Sequence, residues 1–384
     1  MNNQWIIILA CIVAAIIIVA GIAVGIRLHR RRKRVEQLEN DRRNDTVHYA
    51  FVINPSKPTA KETRAFIEQF CADRGVTDIT FIETQLDKDG RACALQALNE
   101  GADVVIAVGG DGTVRTVASA MGGTNHAMGI IPIGTGNLFA RNMNIPVGDL
   151  EAAMLIALSH GSYKVDIGRL TLLDHPEDDH GHAFLIIAGI GFDALMIDDT
   201  DPQLKKNISW LAYFVAGAKH LFAPKYHASV EITDEGGQRH ERNDIEFRTF
   251  MAGNCGEIPM FSLMPDASLN DGLLDFEVID TNGGLLGWMN LFGDVVHQTI
   301  TRKAQQSPLS VHSKIDQVQG LSAELRLQKA VPAQVDGDML PPTKHIRFSV
   351  DHDALIVRAP GQDAEMTANL QPIKVDKNGK PQLS

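Results

Sequence analysis

Residues 104–121 read VVIAVGGDGTVRTVASAM, an apolar run that enters a glycine turn and leaves it as an amphipathic helical pattern. Such a junction directs the unpaired N–H groups of the turn and helix start at one point, where the helix dipole also favours an anion. Gly109, Gly110 and Gly112 let the backbone bend and approach a phosphate closely, and Thr113 follows. Asp111 sets a carboxylate beside those phosphates, a position that makes sense through a metal ion or its waters. The plainer alternative is an ordinary strand-to-helix turn, since the segment is neither a Walker A loop nor GxGxxG. Residues 130–141, IIPIGTGNLFAR, repeat the plan of apolar run, glycine–hydroxyl turn and helix-like segment. Two such turns imply neighbouring loops on one edge of a sheet.

Two later segments carry oxygen chemistry. Residues 265–275, PDASLNDGLLD, offer carboxylates, a hydroxyl and carbonyls of the kind Mg²⁺ prefers, or else a plain Asp-Gly turn. In QVDGDML, Asp338 is either a positioned carboxylate able to assist an alcohol nucleophile or part of a type I′ hairpin. The acidic and histidine-rich LLDHPEDDHGH reads as a solvated loop between two strands and is assigned no chemistry.

The elements that must position these groups alternate strand and helix from Tyr49 onward. Strands are expected at 50–55, 78–83 and 103–108, and helices at 60–74, 90–99 and 150–160. Alternation of this kind predicts a parallel, three-layer α/β sheet, with ligands beyond the carboxyl ends of its strands. Asn54, Thr84, Asp111 and Thr135 all fall at such ends. The texture then changes to short β-like runs at 165–173, 183–188, 228–233, 245–252 and 274–280, which predict an antiparallel β-sandwich. A helical segment at 202–221, rich in aromatic and branched residues, is core or the border of an acyl-chain cleft.

The chain has 384 residues and net charge −11. Residues 1–34 hold six Lys/Arg and no acid, leaving −17 on the remainder, a balance that sets nonspecific nucleic-acid binding aside. Cys11, Cys71, Cys93 and Cys255 form no CxxC pair, which argues against a disulfide framework or a zinc site. Residues 5–26 are apolar and uncharged and precede RLHRRRKR. Their length suits a hydrocarbon core of about 30 Å, and the basic cluster places the chain after Arg27 in the cytoplasm. The expectation is a single-pass cell-membrane protein: an anchor at 1–34, a linker at 35–47, an ATP-binding α/β domain at 48–164, a lipid-binding β-sandwich at 165–360, and a polar tail at 361–384.

AFVINPSKP, GGDGT, GTGN, VDIG (165–168), PDASLNDGLLD and VDGD, in this order, resemble the diacylglycerol kinase catalytic-domain family of lipid kinases, from Tyr49 to about Arg358. The resemblance implies ATP and Mg²⁺ as cofactors and a diacylglycerol-like lipid or long-chain base as acceptor, and it leaves a homodimer open. It places ATP at Asn54, Pro55, Ser56, Thr84, Gly110, Asp111, Gly112, Thr113 and Thr135. A structural Mg²⁺ would sit at Ser268, Asp271 and the Leu273 carbonyl. Asp166 would tie metal to nucleotide, and Asp338 would be the general base. The chain departs from the family pattern at Pro58 (usually Gly), at Arg115 and Thr116 (usually a pair such as Asn-Glu), at Leu138 (often Asp) and at Asp338 (usually Glu). A kinase of a soluble acceptor such as NAD, and a catalytically weak lipid-binding protein, are the competing expectations.

Overall fold

A computed structural model describes residues 47–159, 161–175, 181–191, 225–255, 257–258, 261–262, 264, 267–281 and 313–360. Strands β1 (Tyr49–Ile53), β2 (Ile79–Glu83), β3 (Val104–Gly109) and β4 (Ala127–Pro132) pair in parallel in the order β4-β3-β1-β2. Every residue of β1, β3 and β4 is buried, as continuous apolar runs require when a parallel sheet is covered on both faces. Helices α1 (Ala60–Asp73), α2 (Gly90–Asn99), α3 (Asp111–Met121), α4 (Leu138–Asn142) and α5 (Leu150–Ala157) alternate with these strands. Asp89 and Asp149 start α2 and α5 by accepting the N–H groups of Ala92 and Ala152.

The β-rich remainder comprises β5 (Ser162–Leu172), β6 (His182–Phe184), β7 (Ile187–Gly191), β8 (Tyr226–Thr233), β9 (Arg239–Phe247), β10 (Thr249–Gly253), β11 (Glu257–Ile258), β12 (Phe261–Ser262), β13 (Leu274–Thr281), β14 (Ser313–Gly320), β15 (Ser322–Val335) and β16 (Asp338–Arg358). One core, including Phe184, Phe247, Phe250, Phe276, Leu325, Ile346 and Phe348, is drawn from β6, β9, β10, β13, β15 and β16. Yet these strands are not closed off from the first sheet. The order runs β14-β13-β10-β7-β15-β16-β4, because Ile356 and Val357 near the end of β16 pair in parallel with Ala127 and Met128 of β4. The two parts therefore share a hydrogen-bonded strand, and the described residues fall in one compact unit.

The expectation of a single-pass membrane protein is corrected. Among the described residues no helix is long and apolar enough to cross a membrane. The longest, α1, has 14 residues and carries charges throughout, so it would span only about 21 Å of a core near 30 Å. The segment 5–26, the expected helix at 202–221 and the tail at 361–384 lie outside the described residues. LLDHPEDDHGH does join two antiparallel strands, β5 and β6, and Asp174 at its start accepts from the Thr343 hydroxyl and the Lys344 N–H.

Glu277 on β13 is fully buried, and neither carboxylate oxygen has a hydrogen-bond partner among the described residues. Burial, reinforced by the charge of Asp275, pushes its carboxyl up from 4.5 to about 8. The fold thus favours the protonated form: that contribution is fully present below the unfolded value and is lost as pH rises toward 8. Glu277→Gln is neutral at every pH and should flatten this dependence. At pH 9 it should raise the unfolding free energy by roughly 1–3 kcal/mol, with little gain at pH 5, as read by urea unfolding.

Candidate active site

β1, β3 and β4 are neighbours, and the loops leaving their carboxyl ends meet. After β1, the Asn54 N–H donates to the Val108 carbonyl at 3.0 Å and its Nδ2 to Thr113 Oγ1 at 3.2 Å. Asn54 Oδ1 accepts from the Ser56 N–H at 3.0 Å and the Ser56 hydroxyl at 2.7 Å. This asparagine fastens the turn containing Pro55 and Ser56 to the first turn of α3. Thr84 follows β2 and donates its N–H to the Ile53 carbonyl at 2.9 Å.

The two glycine turns touch backbone to backbone. A Cβ on Gly134 would stand 2.5 Å from the Gly110 Cα, and one on Gly110 would stand 3.2 Å from the Gly134 Cα. Asp111, the first residue of α3, reaches across this contact: its Oδ1 accepts the Leu138 N–H at 2.6 Å and is 3.4 Å from the Phe139 nitrogen. Burial raises its carboxyl, and these N–H groups hold it part of the way down. The carboxylate read from sequence as a phosphate-side metal ligand is thus also the clasp between the loops. Asn137, at φ +50°, closes the second loop by bonding both the N–H and the carbonyl of Gly134, at 3.0 and 2.7 Å. Gly112 and Thr135 remain exposed, while Thr113 is buried against Gly109. Lys57, next to Ser56 in the same turn, brings its Nζ to 3.5 Å from where a Gly110 Cβ would lie.

VDGD forms the hairpin turn that was one of its two sequence readings. Val335 pairs with Asp338, and Asp336 (φ +45°) with Gly337 (φ +90°) form the two-residue left-handed turn of a type I′ hairpin. Asp336 takes three consecutive N–H groups, of Leu185, Ile186 and Ile187, at 2.8, 3.0 and 2.9 Å. Burial pushes its carboxyl up to about 6, against the pull of those donors and of the Arg115 charge. Because Leu185–Ile187 donate to a side chain, the apolar run 183–188 does not form one strand: it divides into β6, paired with β5, and β7, paired with β10 and β15. Asp338 is exposed; its Oδ2 lies 3.8 Å from where a Gly112 Cβ would stand and is ion-paired with Arg115. The candidate base therefore overhangs the candidate phosphate turn.

Asp166 joins a different group. It is fully buried on β5, and its N–H donates to the Leu269 carbonyl at 2.7 Å. Its carboxylate accepts from the N–H groups of Gly272 and Asp353, at 2.7 and 2.6 Å, and meets His352 Nδ1 at 2.9 Å. Asp166 therefore secures the 267–273 loop, the candidate metal site, to β5 and to the bulge of β16. In that loop Ser268 Oγ is 3.4 Å from Asn270 Oδ1, and Asp271 Oδ1 accepts the Leu273 N–H at 3.0 Å. Burial raises the Asp271 carboxyl, and the neighbouring Asp166 charge raises it further. Buried Asn254 donates Nδ2 to the Asp166 and Leu185 carbonyls, linking this loop to the Asp336 junction. Asp336 could have been found from sequence, since it lies two residues before Asp338; Asn254 and His352 carry no local motif. Because the glycine loops touch through backbone, Gly134→Ala should lower stability by about 1–3 kcal/mol, the range for overpacking. It should also weaken binding of an ATP analogue at least roughly tenfold in calorimetric titration, since the orphan N–H groups would no longer converge.

With this geometry in hand, residues 48–170 match the model of the diacylglycerol kinase catalytic domain. A Pseudomonas aeruginosa protein named "probable lipid kinase YegS-like" is 30% identical over 279 residues, 71% of this chain and 82% of its own length. An uncharacterised Synechocystis protein is also 30% identical, over 254 residues, and the match spans 65% of this chain and about half, 53%, of that protein. A diacylglycerol kinase crystal structure from Bacillus anthracis shares the fold with a TM-score of 0.62 at 18% identity, covering 82% of this chain and 97% of that one. Six motifs in order and these matches give one conclusion: the chain belongs to the diacylglycerol kinase catalytic-domain family of lipid kinases.

Proposed function

We propose that this chain transfers the γ-phosphate of ATP to the hydroxyl of a diacylglycerol-like lipid, with Mg²⁺ as cofactor and Asp338 as general base. The observation that carries the reading is the approach of Asp338 Oδ2 to the Gly112 turn. Phosphoryl transfer needs positioning and charge neutralisation above all. The clasped glycine loops supply converging N–H groups, and Lys57 adds a cation beside Gly110. Asp338 can take the acceptor's proton at the place where the γ-phosphate would lie. Its exposure leaves room for an acceptor to arrive from solvent-facing space.

The residues present also suit Mg²⁺. Asp271 and Asp166 are close enough for one carboxylate to raise the other, an arrangement a divalent cation relieves. Ser268, Asp271 and the Leu273 carbonyl form a hard-oxygen set. Asp166 is the less available ligand, because both of its oxygens already accept N–H groups. Bound there, Mg²⁺ would supply structural closure of the loop.

The test is transfer of labelled γ-phosphate from ATP, with Mg²⁺, into a total-lipid extract by the full chain and by Asp338→Ala. A labelled lipid is expected from the parent, with the variant slower by about 10²–10⁴-fold, the usual contribution of a general base. Equal labelling by both chains would remove Asp338 from its role. Labelling of NAD or another soluble acceptor instead of lipid would favour the alternative substrate class.

A further inference from the structure

The ion pair between Arg115 and Asp338 is not explained by base chemistry alone. Arg115 lies on α3 one turn beyond Asp111, at a position where the family pattern has a shorter polar residue. Its side chain is 12% exposed against 59% for Asp338, so the two partners are held very differently. Nη1 donates to the Ala183 carbonyl of β6 at 3.4 Å, Nη2 donates to Asp338 Oδ2, and the nearby Asp336 lends a second negative charge. Exposed ion pairs contribute little, largely because two long side chains must be ordered. Here the long partner is already fixed by the fold, and only the short Asp338 side chain loses freedom on pairing.

We propose that Arg115 is the positioning residue for the base: it holds Asp338 over the first turn of α3 and so sets the reach of a carboxylate one methylene shorter than glutamate. The inference rests on the kinase reading. In the transfer step the acceptor oxygen bonds to the γ-phosphorus while the bond to the bridging oxygen of ADP breaks, and ADP leaves with that electron pair. The acceptor's proton passes to Asp338, which becomes neutral. Arg115 then keeps its charge without its ionic partner, beside the turn where the transferred phosphoryl group lies.

The experiment compares lipid phosphorylation by the parent with five variants. Arg115→Gln should lower kcat about 30- to 100-fold while changing KM for ATP less than about threefold, the split that marks loss of a transition-state contribution. Arg115→Lys should recover about tenfold of that loss, since the charge returns without the planar fork. Asp338→Glu alone should also lower kcat, because the longer acid meets the fixed guanidinium. Arg115→Asn combined with Asp338→Glu should exceed either Arg115→Asn or Asp338→Glu alone, the non-additivity of residues acting as a pair. Unfolding midpoints of all variants should stay close to the parent's, which separates positioning from folding.

Unchanged kcat in Arg115→Gln would overturn the proposal, as would a loss confined to KM for ATP or a double variant no better than its singles. If the parent labels no lipid, the kinase reading fails on its own. The hold of Arg115 on Asp338 is then decided by arginine side-chain ¹⁵N spectra. Slowly exchanging Arg115 guanidinium signals that collapse in Asp338→Asn support the pair, and identical signals in both chains contradict it.

Discussion

Asp336 accepts three consecutive backbone N–H groups, and the placement of the site depends on that junction. A buried N–H left without an acceptor costs on the order of 1–3 kcal/mol, so three in a row could not be left unpaired where β6 gives way to β7. Asp336 meets that need at a cost of its own, since burial raises its carboxyl to about 6. A group titrating there is still mostly ionised at neutral pH and remains a charged acceptor. The result is a hairpin locked at both ends: Asp336 fixes its tip from inside, and Asp338, two residues on, is carried out over the phosphate turn. The same logic recurs with Asp111, which clasps one glycine loop to the other, and with Asp166, which clasps the 267–273 loop to β16. Each of these aspartates fastens together loops far apart in sequence.

How much of this could be read from residues alone depends on where the determining contacts lie. The strands and helices of the α/β part were legible because periodicity and glycine act locally: the helix at 90–99 was placed to the residue, and that at 60–74 to within one. The run 183–188 was not legible as two strands. Nothing in its own composition marks a break, and the acceptor that divides it stands about 150 positions later. The run 245–252 likewise divides into β9 and β10 around Arg248. An apolar stretch reports burial faithfully but not which neighbour its backbone will find.

The site shows a similar division. Glycines that permit close approach were legible, because no other residue fits where two backbones meet. The partner of Asp111 was not, since its donors belong to a loop whose nearness only the sheet order establishes. Asp338 presented two readings that looked exclusive in sequence, hairpin turn or base; the fold forms the turn and carries Asp338 over Gly112, so the two are compatible. The shared strand β16 explains how a β-rich part delivers a side chain to the α/β part, since one continuous element pairs with β15 and β5 and then, near its end, with β4.

The central claim is that the glycine loops and the Asp338 hairpin form one phosphoryl-transfer site. A crystal structure of the full chain with Mg²⁺ and a non-hydrolysable ATP analogue tests it most directly. The phosphates are expected to lie on the N–H groups of the Gly110–Gly112 turn, with the γ-phosphate directed toward Asp338. A nucleotide bound elsewhere, or bound with its γ-phosphate turned away from Asp338, would contradict it.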